Sequence, residues 1–304
     1  MEIKKTTDPT VKPPVMMLVY GDGGVGKTTF TTTAPNPLLI DCERGAKYFG
    51  LRGIDVDFIT IEKFTDFQRD FNEIVNSSYQ TIAVDPIGEL MEKLIVAMEK
   101  MGDKKLTQRD GSPSMAGWGW LKKTLRAYFK ALRDSGKHII LVAHVSEEAD
   151  EDRKIKRPMI ATKLSQEIAN MVDVVGYMTT LSILDENTRQ QTTKRVIYVD
   201  AESDKYIAKD RTGQLGNIIP PDFSKIVDAC QGTKQFKWSK QIEKIVEKEE
   251  KKKEEKKLKD KLEKAKVDFP CGLCGKEMTS DEVDYCDNNG IKHVCSKCLK
   301  KIKK

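Results

Sequence analysis

The chain has no apolar run long enough to cross a membrane. Its first residues lack the basic, apolar and small-residue succession of a secretory leader. These two absences make a cytoplasmic protein with no membrane partner the expectation. Residues 1–238 also lack a charge bias. Their net charge is +1, so this stretch does not advertise nucleic acid by charge, whereas residues 239–304 carry +5. Cysteine is scarce before residue 270, where only Cys42 and Cys230 occur; the other five of the seven follow it. In a cytosolic chain, that clustering points to metal rather than to disulfides. Charge of both signs, by contrast, is plentiful, at 33% of residues against the usual quarter or so. A length of 304 residues fits about two domains.

The most specific stretch is Gly21-Asp22-Gly23-Gly24-Val25-Gly26-Lys27-Thr28, which fits G-x-x-x-x-G-K-[ST], the phosphate-binding P-loop. Its glycines let backbone N–H groups turn inward and wrap phosphates at the positive end of the next helix. All eight residues are candidates for ATP binding. Lys27 would reach the β- and γ-phosphates, and the Thr28 hydroxyl would ligate Mg²⁺. The apolar run over 15–20 predicts a buried strand feeding the loop. The helix after it is expected to run to about Thr33, before Pro35 and Pro37.

Three further strands end in polar residues. The run over 37–43 ends in Asp41-Cys42-Glu43, and the run over 79–85 ends in Asp85. In a parallel sheet the C-terminal edge of the strands carries the ligand site. There Glu43 could deprotonate an attacking water, or it is an ordinary loop acid. Asp85, separated from Lys27 by 57 residues, fits the Walker B position, a carboxylate for the Mg²⁺ shell. The run over 137–144 ends in His144, either a γ-phosphate sensor that signals to the next loop or a plain partnered histidine. Lys27, Glu43, Asp85 and His144 are the candidate catalytic set. Between them, residues 54–61 read as a strand. Residues 64–75 carry a helical apolar stripe, and 86–100 read as a helix.

Two polar, basic segments stand out. The first, 101–115, holds Lys104, Lys105 and Arg109 among glycines and a proline, and is long for a connection in an α/β fold. Trp118 and Trp120 follow and open a helix to about Ser135. Cations beside aromatics suit single-stranded nucleic acid, whose bases stack on rings; both rings packing the core is the plainer alternative. The second segment, 146–158, starts acidic and ends with Arg153, Lys154, Lys156 and Arg157. It is expected to be a polar loop, either a solvated flap or a mobile nucleic-acid contact. Next, 160–171 reads as a helix, 172–179 and 195–199 as strands, and 185–193 as a turn. Lys209 and Arg211 then stand two apart, a spacing that directs both to one side of an extended chain. They can serve a neighbouring subunit's phosphates or form a basic surface turn.

From 239 to 266 glutamate and lysine dominate, with Glu-to-Lys pairs four apart at 247/251, 249/253 and 255/259. The apolar positions Ile242, Val246, Leu258, Leu262 and Ala265 are interrupted, which favours a solvated single helix as a spacer over a coiled coil. In 267–304, Cys271-x2-Cys274 and Cys295-x2-Cys298 lie 20 residues apart, a zinc signature. So short a module needs metal to fold, and four thiolates leave no open position for catalysis. Cys286 and His293 are spare ligands, and the lysines at 297, 300, 301, 303 and 304 could touch phosphate. The expected organisation is a loose arm over 1–14, a core over 15–238, a linker over 239–266 and the zinc-ribbon-like module over 267–304.

The P-loop, Asp41-Cys42-Glu43, Asp85, Ala143-His144 and Lys209-Asp210-Arg211 together resemble the RecA-like recombinase core. More narrowly, they resemble the phage AAA-type nucleotide-binding proteins, some of them single-strand-annealing relatives of RecA. The resemblance spans roughly residues 15–230 and implies a doubly wound, mostly parallel α/β sheet. By the same resemblance Glu43 activates water, Asp85 is the Walker B acid and His144 is the γ-phosphate sensor. Lys209-Asp210-Arg211-Thr212-Gly213 is similar to the Lys-Asn-Arg-Phe-Gly motif of bacterial RadA, which implies that Lys209 and Arg211 act in trans in a homo-oligomer. Asp and Thr stand here in place of Asn and Phe. The segments at 101–117 and 146–160 fall where that family's DNA-binding loops lie. The implied activity is Mg-ATP hydrolysis coupled to single-stranded DNA in recombination or annealing. Alternatives are a helicase or helicase-loading ATPase, or a non-hydrolysing switch whose zinc tail recruits a replication or single-strand-binding protein.

Overall fold

The computed structural model describes residues 12–150, 153–184, 191–201, 203, 205–233, 266–279, 283, 286–288, 292–295, 298 and 299. Residues 1–11 of the arm expected over 1–14, 185–190 of the turn expected over 185–193, 239–265 of the linker expected over 239–266 and the lysines at 297, 300, 301, 303 and 304 lie outside them, while 191–193 are strand rather than turn. The chain forms two compact units, Met1–Lys237 and Trp238–Lys304.

In chain order the first unit runs β1 (Met16–Gly21), α1 (Lys27–Thr31), β2 (Pro37–Asp41) and two 3-10 turns (Ala46–Tyr48 and Gly50–Arg52). Then come β3 (Asp57–Thr60), α2 (Phe64–Asn76), β4 (Thr81–Asp85), α3 (Ile87–Lys100) and α4 (Met115–Asp134). It continues with β5 (His138–Asp150), β6 (Arg153–Pro158), α5 (Thr162–Met171), β7 (Val174–Leu184) and β8 (Gln191–Tyr198). It ends with β9 (Lys209–Asp210), β10 (Ile218–Ile219) and α6 (Phe223–Cys230).

All six residues of β1 are buried, because a central parallel strand is covered on both faces; that is why the sequence shows a run rather than an alternation. The alternation reappears in depth. Met16, Leu18 and Tyr20 enter one core layer, under α2 to α5, while Met17 and Val19 enter the other, with Phe30 of α1 and Phe223 of α6. The sheet order is β10-β8-β7-β1-β5-β4-β2-β3. From β3 to β7 every pairing in that order is parallel. Helices on both faces of a mostly parallel sheet make this the expected doubly wound α/β fold. The strand before the P-loop and the strand ending in Asp85 flank β5, so all three deliver their C-terminal ends to one edge.

The helices follow their stripes. α2 buries Phe64, Phe67, Phe71 and Ile74, and α4 buries Leu121, Leu125, Phe129 and Leu132 at helical spacing. Ser114 caps α4 by accepting from the Gly117 N–H at 3.0 Å. Trp118 and Trp120 are half-buried against the core, the plainer of the two expectations. Residues 101–114 form an ordered turn, with Thr107 bridged to Pro113.

The segment 146–158 departs from the loop expected there. β5 continues past His144 to Asp150 and folds back as β6, from Val145 opposite Pro158 to Asp150 opposite Arg153. The acidic first half and basic second half are the two arms of a hairpin. Glu147 stands opposite Lys156, and the Glu148 carboxylate lies 3.3 Å from Arg157 Nε. β7 and β8 are likewise longer than their apolar cores, because their outer residues pair antiparallel beyond the sheet body.

In the second unit β11 (Lys266–Pro270) pairs antiparallel with β12 (Glu277–Thr279). Cys271 follows β11 directly.

Candidate functional site

The P-loop leaves the end of β1 and enters α1. Gly26 has φ 102°, a left-handed conformation natural to glycine. Gly21 is tight for another reason: a Cβ there would sit 2.2 Å from the Met178 carbonyl oxygen of β7. Lys27 is buried, and its amine donates to the carbonyls of Gly21 and Asp22, each at 2.8 Å. Burial lowers its pKa, against the pull of Asp85, Glu43 and Asp22.

Asp85 stands at the end of β4, buried and hydrogen-bonded to the Thr28 side chain. Burial raises its pKa to about 6, with the Thr28 bond opposing and the Glu43 charge adding to the rise. Its Oδ2 is buried with no hydrogen-bond partner among the described residues. An orphaned carboxylate oxygen beside a hydroxyl is a donor pair of the hard, oxygen type that Mg²⁺ takes. Thr28 and Asp85 therefore fit that ion.

Asp41, at the end of β2, lies opposite Asp85 in the sheet. It is buried, and its carboxylate accepts from the N–H groups of Glu43 (3.2 Å), Gly45 (3.1 Å) and Ala46 (2.9 Å). It thereby shapes the turn that carries Glu43. Glu43 Oε1 lies 2.8 Å from Nε2 of His144, which stands opposite Gly21 on β5. Both side chains are about two-fifths exposed, 42% and 40%, so water reaches them. Lys27, Glu43, Asp85, His144 and the loop residues Gly23, Gly24, Gly26 and Thr28 line one cavity of about 270 Å³. The four catalytic candidates thus meet at one place.

Five lining residues escaped the sequence reading, Thr29, Gly45, Tyr48, Phe49 and Arg52, and the last three are the large side chains among them. These three ride on the 3-10 turns that Asp41 anchors. A tyrosine and an arginine five and nine residues beyond Glu43 were the available signal. Tyr177 was missed too. Its hydroxyl accepts from Lys156 at 2.7 Å and lies 3.5 Å from the Asp22 carboxylate, linking the hairpin to the P-loop. Tyr20 secures the same place, donating to the carbonyls of Lys156 and Ile207.

The basic candidates divide. Lys104, Lys105 and Arg109 are exposed on the 101–114 turn, and Lys154 is exposed on β6. Arg153 opens β6 opposite Asp150, while Lys156 and Arg157 are engaged with Tyr177 and Glu148. Lys209 and Arg211 do not stand free as fingers. Lys209 donates to the carbonyls of Ala169, Asn170 and Val172, and Arg211 to the Asn170 carbonyl and the Asp173 carboxylate. They cap the end of α5, where cations match the helix dipole. β9 pairs with the first residues of β7, the edge opposite the P-loop.

In the second unit the sulfurs of Cys271, Cys274, Cys295 and Cys298 lie within 4.8 Å of one another. Cys274 and Cys295 are 3.7 Å apart, close to the edge of about 3.8 Å that tetrahedral Zn–S bonds require. Backbone N–H groups, Cys295 first and Leu273 next, lower the Cys271 thiol to about 6. These donors fit a zinc ion. His293 pairs with Asp287, and Cys286 donates to the Val294 carbonyl.

No helix among the described residues is long and apolar enough to cross a membrane. A curated relative, an SPbeta prophage-derived uncharacterized protein, YorG, of Bacillus subtilis (strain 168), is 22% identical over 212 residues, 67% of this chain. The chain spans 62% of that relative, less than two thirds of its length. A solved KaiC-like protein, PH0186, from the hyperthermophilic archaeon Pyrococcus horikoshii OT3 is 13% identical, with a TM-score of 0.35 over 61% of this chain and 78% of that one. The family model described as an AAA domain matches residues 13–212, from before β1 to just after Arg211. The chain belongs to the AAA domain family, as a P-loop NTPase.

Proposed function

We propose that this chain is a RecA-like ATPase of phage type that hydrolyses Mg-ATP and acts on single-stranded DNA in recombination or annealing. The observation that carries the reading is the 2.8 Å hydrogen bond between Glu43 and His144. It ties the carboxylate at the nucleotide edge to the strand that becomes the β5–β6 hairpin. Asp85 and the Thr28 hydroxyl would hold Mg²⁺, which when bound would supply charge neutralisation at the phosphates. Lys27 and the loop amides bind and orient the phosphates. Glu43 accepts the proton of the attacking water, and His144 fixes the carboxylate that does so. A displacement of the hairpin moves His144 and so the base.

The exposed Lys104, Lys105, Arg109 and Lys154 supply the sequence-independent attraction for DNA phosphates. The prophage-derived relative supports the phage setting. For Lys209 and Arg211 to complete a neighbour's nucleotide site in a homo-oligomer, they would have to leave the end of α5. The test is ATP turnover of the full chain with and without single-stranded DNA at two salt concentrations. The expected result is stimulation that fades as salt rises. Glu43→Gln is expected to cut turnover by roughly 10²–10⁴-fold with ATP binding retained. Unchanged turnover removes Glu43 as the base.

The four-cysteine cluster favours a second element: zinc bound by Cys271, Cys274, Cys295 and Cys298, folding a tail that recruits a replication or single-strand-binding protein. If DNA leaves turnover unchanged, this recruitment becomes the main role, and the core acts as an ATP switch or helicase loader.

A further inference from the structure

We propose that Arg195 is a phosphate-binding residue of the nucleotide site, acting on the nucleotide held by its own chain's P-loop. The proposal rests on the P-loop NTPase reading and adds a residue that neither the motif nor the cavity lining includes.

The placement comes first. A Cβ built on Gly26 would lie 3.2 Å from Arg195 Nε, 3.3 Å from its Cδ and 3.5 Å from its Cζ. The guanidinium therefore rests against the last glycine of the loop, one residue before Lys27. The register explains how it gets there. Met178 of β7 lies level with Gly21, the first glycine of the loop. Arg195 stands opposite Thr180, two residues further along β7, which is roughly 7 Å beyond that level on the nucleotide edge. Arg195 also shares a strand face with Ile197, which is buried in the layer that holds Phe30 of α1. This is the face on which the P-loop turns into its helix. Lys194, one residue earlier, points to the other face by the same alternation.

The chemistry follows. Residues 191–195 of β8 are exposed, whereas Val196 and Ile197 are buried. No described carboxylate forms an ion pair with Arg195, so its charge is available to a ligand. Lys27 stands inside the cavity, with its amine held by two loop carbonyls. A second cation flanking the loop from outside matches the several negative charges of a nucleoside di- or triphosphate. The planar guanidinium fork suits bidentate contact with phosphate oxygens.

The test compares ADP affinity and ATP turnover of the full chain with those of Arg195→Ala, Arg195→Lys and Lys194→Ala. Arg195 is exposed, so its variants are expected to melt at the wild-type temperature. Arg195→Ala is expected to weaken ADP binding by about tenfold or more, the scale of a charged hydrogen bond. Arg195→Lys restores part of that loss, and Lys194→Ala stays within twofold of wild type. ADP affinity of Arg195→Ala within twofold of wild type overturns the proposal. So does an equal loss in Lys194→Ala, which would make the effect one of net charge. A wild-type chain that binds no ADP overturns the nucleotide reading itself, and Arg195 with it, an outcome distinct from the other two.

Discussion

In the first unit the sheet covers whole strands, β1 and β4 along their full length, and Phe67 and Phe71 pack ring against ring with Tyr128. In the second unit the buried hydrophobic cluster among the described residues has six members: Cys271, Met278, Val283, Cys286, Val294 and Cys295. Half of them are cysteines. The difference shows in the thiols. Burial pushes Cys42 up to about 12 and Cys230 up to about 11, so both stay protonated and inert. In the second unit backbone N–H groups draw Cys271 down to about 6, while hydrogen bonds with the Cys274 and Cys295 sulfurs push Cys298 up to about 12, so these thiols are set by one another rather than by burial. One unit keeps its sulfurs apart as small hydrophobes, and the other gathers four of them within 4.8 Å of one another.

The largest effect that can break this contrast comes from metal removal. Structural zinc contributes on the order of 10 kcal/mol to modules of this kind. A tight chelator is therefore expected to unfold the tail and leave the main melting transition in place. Alkylation at pH 7 should then label Cys271, Cys274, Cys295 and Cys298 ahead of Cys42 and Cys230, read by peptide mass. Labelling of Cys42 at the same rate, or a lowered core transition, would erase the distinction.

A smaller effect tests the buried Asp85 carboxylate of the first unit, whose Oδ2 has no hydrogen-bond partner among the described residues. Asp85 carries a folded pKa of about 6 against an ordinary 3.8. A raised carboxylate stabilises the fold below its unfolded pKa and loses that contribution as pH rises through the folded one. Without magnesium, the chain should lose stability between about pH 4 and pH 6, by about 3 kcal/mol for a shift of this size. Asp85→Asn should remove that dependence and raise the melting temperature at pH 7 while weakening magnesium-dependent turnover. A flat profile in wild type would mean that Asp85 is not held at a cost.

The features legible in the sequence were those whose chemistry is local. The P-loop is spelled by its glycines, and Glu43, Asp85 and His144 each end an apolar run, so a parallel sheet had to gather them. The cysteine pairs were legible by spacing. The hairpin at 145–158 was not, because its strands are polar on both faces. Only the pairing of an acidic arm with a basic one reveals it. Nor was the engagement of Lys209 and Arg211, since the end of α5 lies some forty residues earlier and only the β7–β9 pairing brings it near. Tyr48, Arg52 and Arg195 reach the nucleotide site through turns and a strand register that composition does not encode.

The smallest effect sharpens a contrast inside the first unit, between exposed cations and Lys156. Its amine is held above the usual range by the Tyr177 hydroxyl, which also approaches the P-loop at Asp22. Tyr177→Phe removes the hydroxyl and keeps the ring on Tyr20 and Tyr206, so the stability loss should be about 1 kcal/mol. ATP affinity should stay within twofold, while stimulation of turnover by DNA falls, because the hairpin loses its polar link to the loop. Lys104→Ala should do the reverse, weakening DNA binding and flattening its salt dependence with stimulation at saturating DNA intact. If both variants weaken DNA binding alike and neither alters stimulation, Lys156 is one more phosphate contact, and the hairpin does not reach the nucleotide through Tyr177.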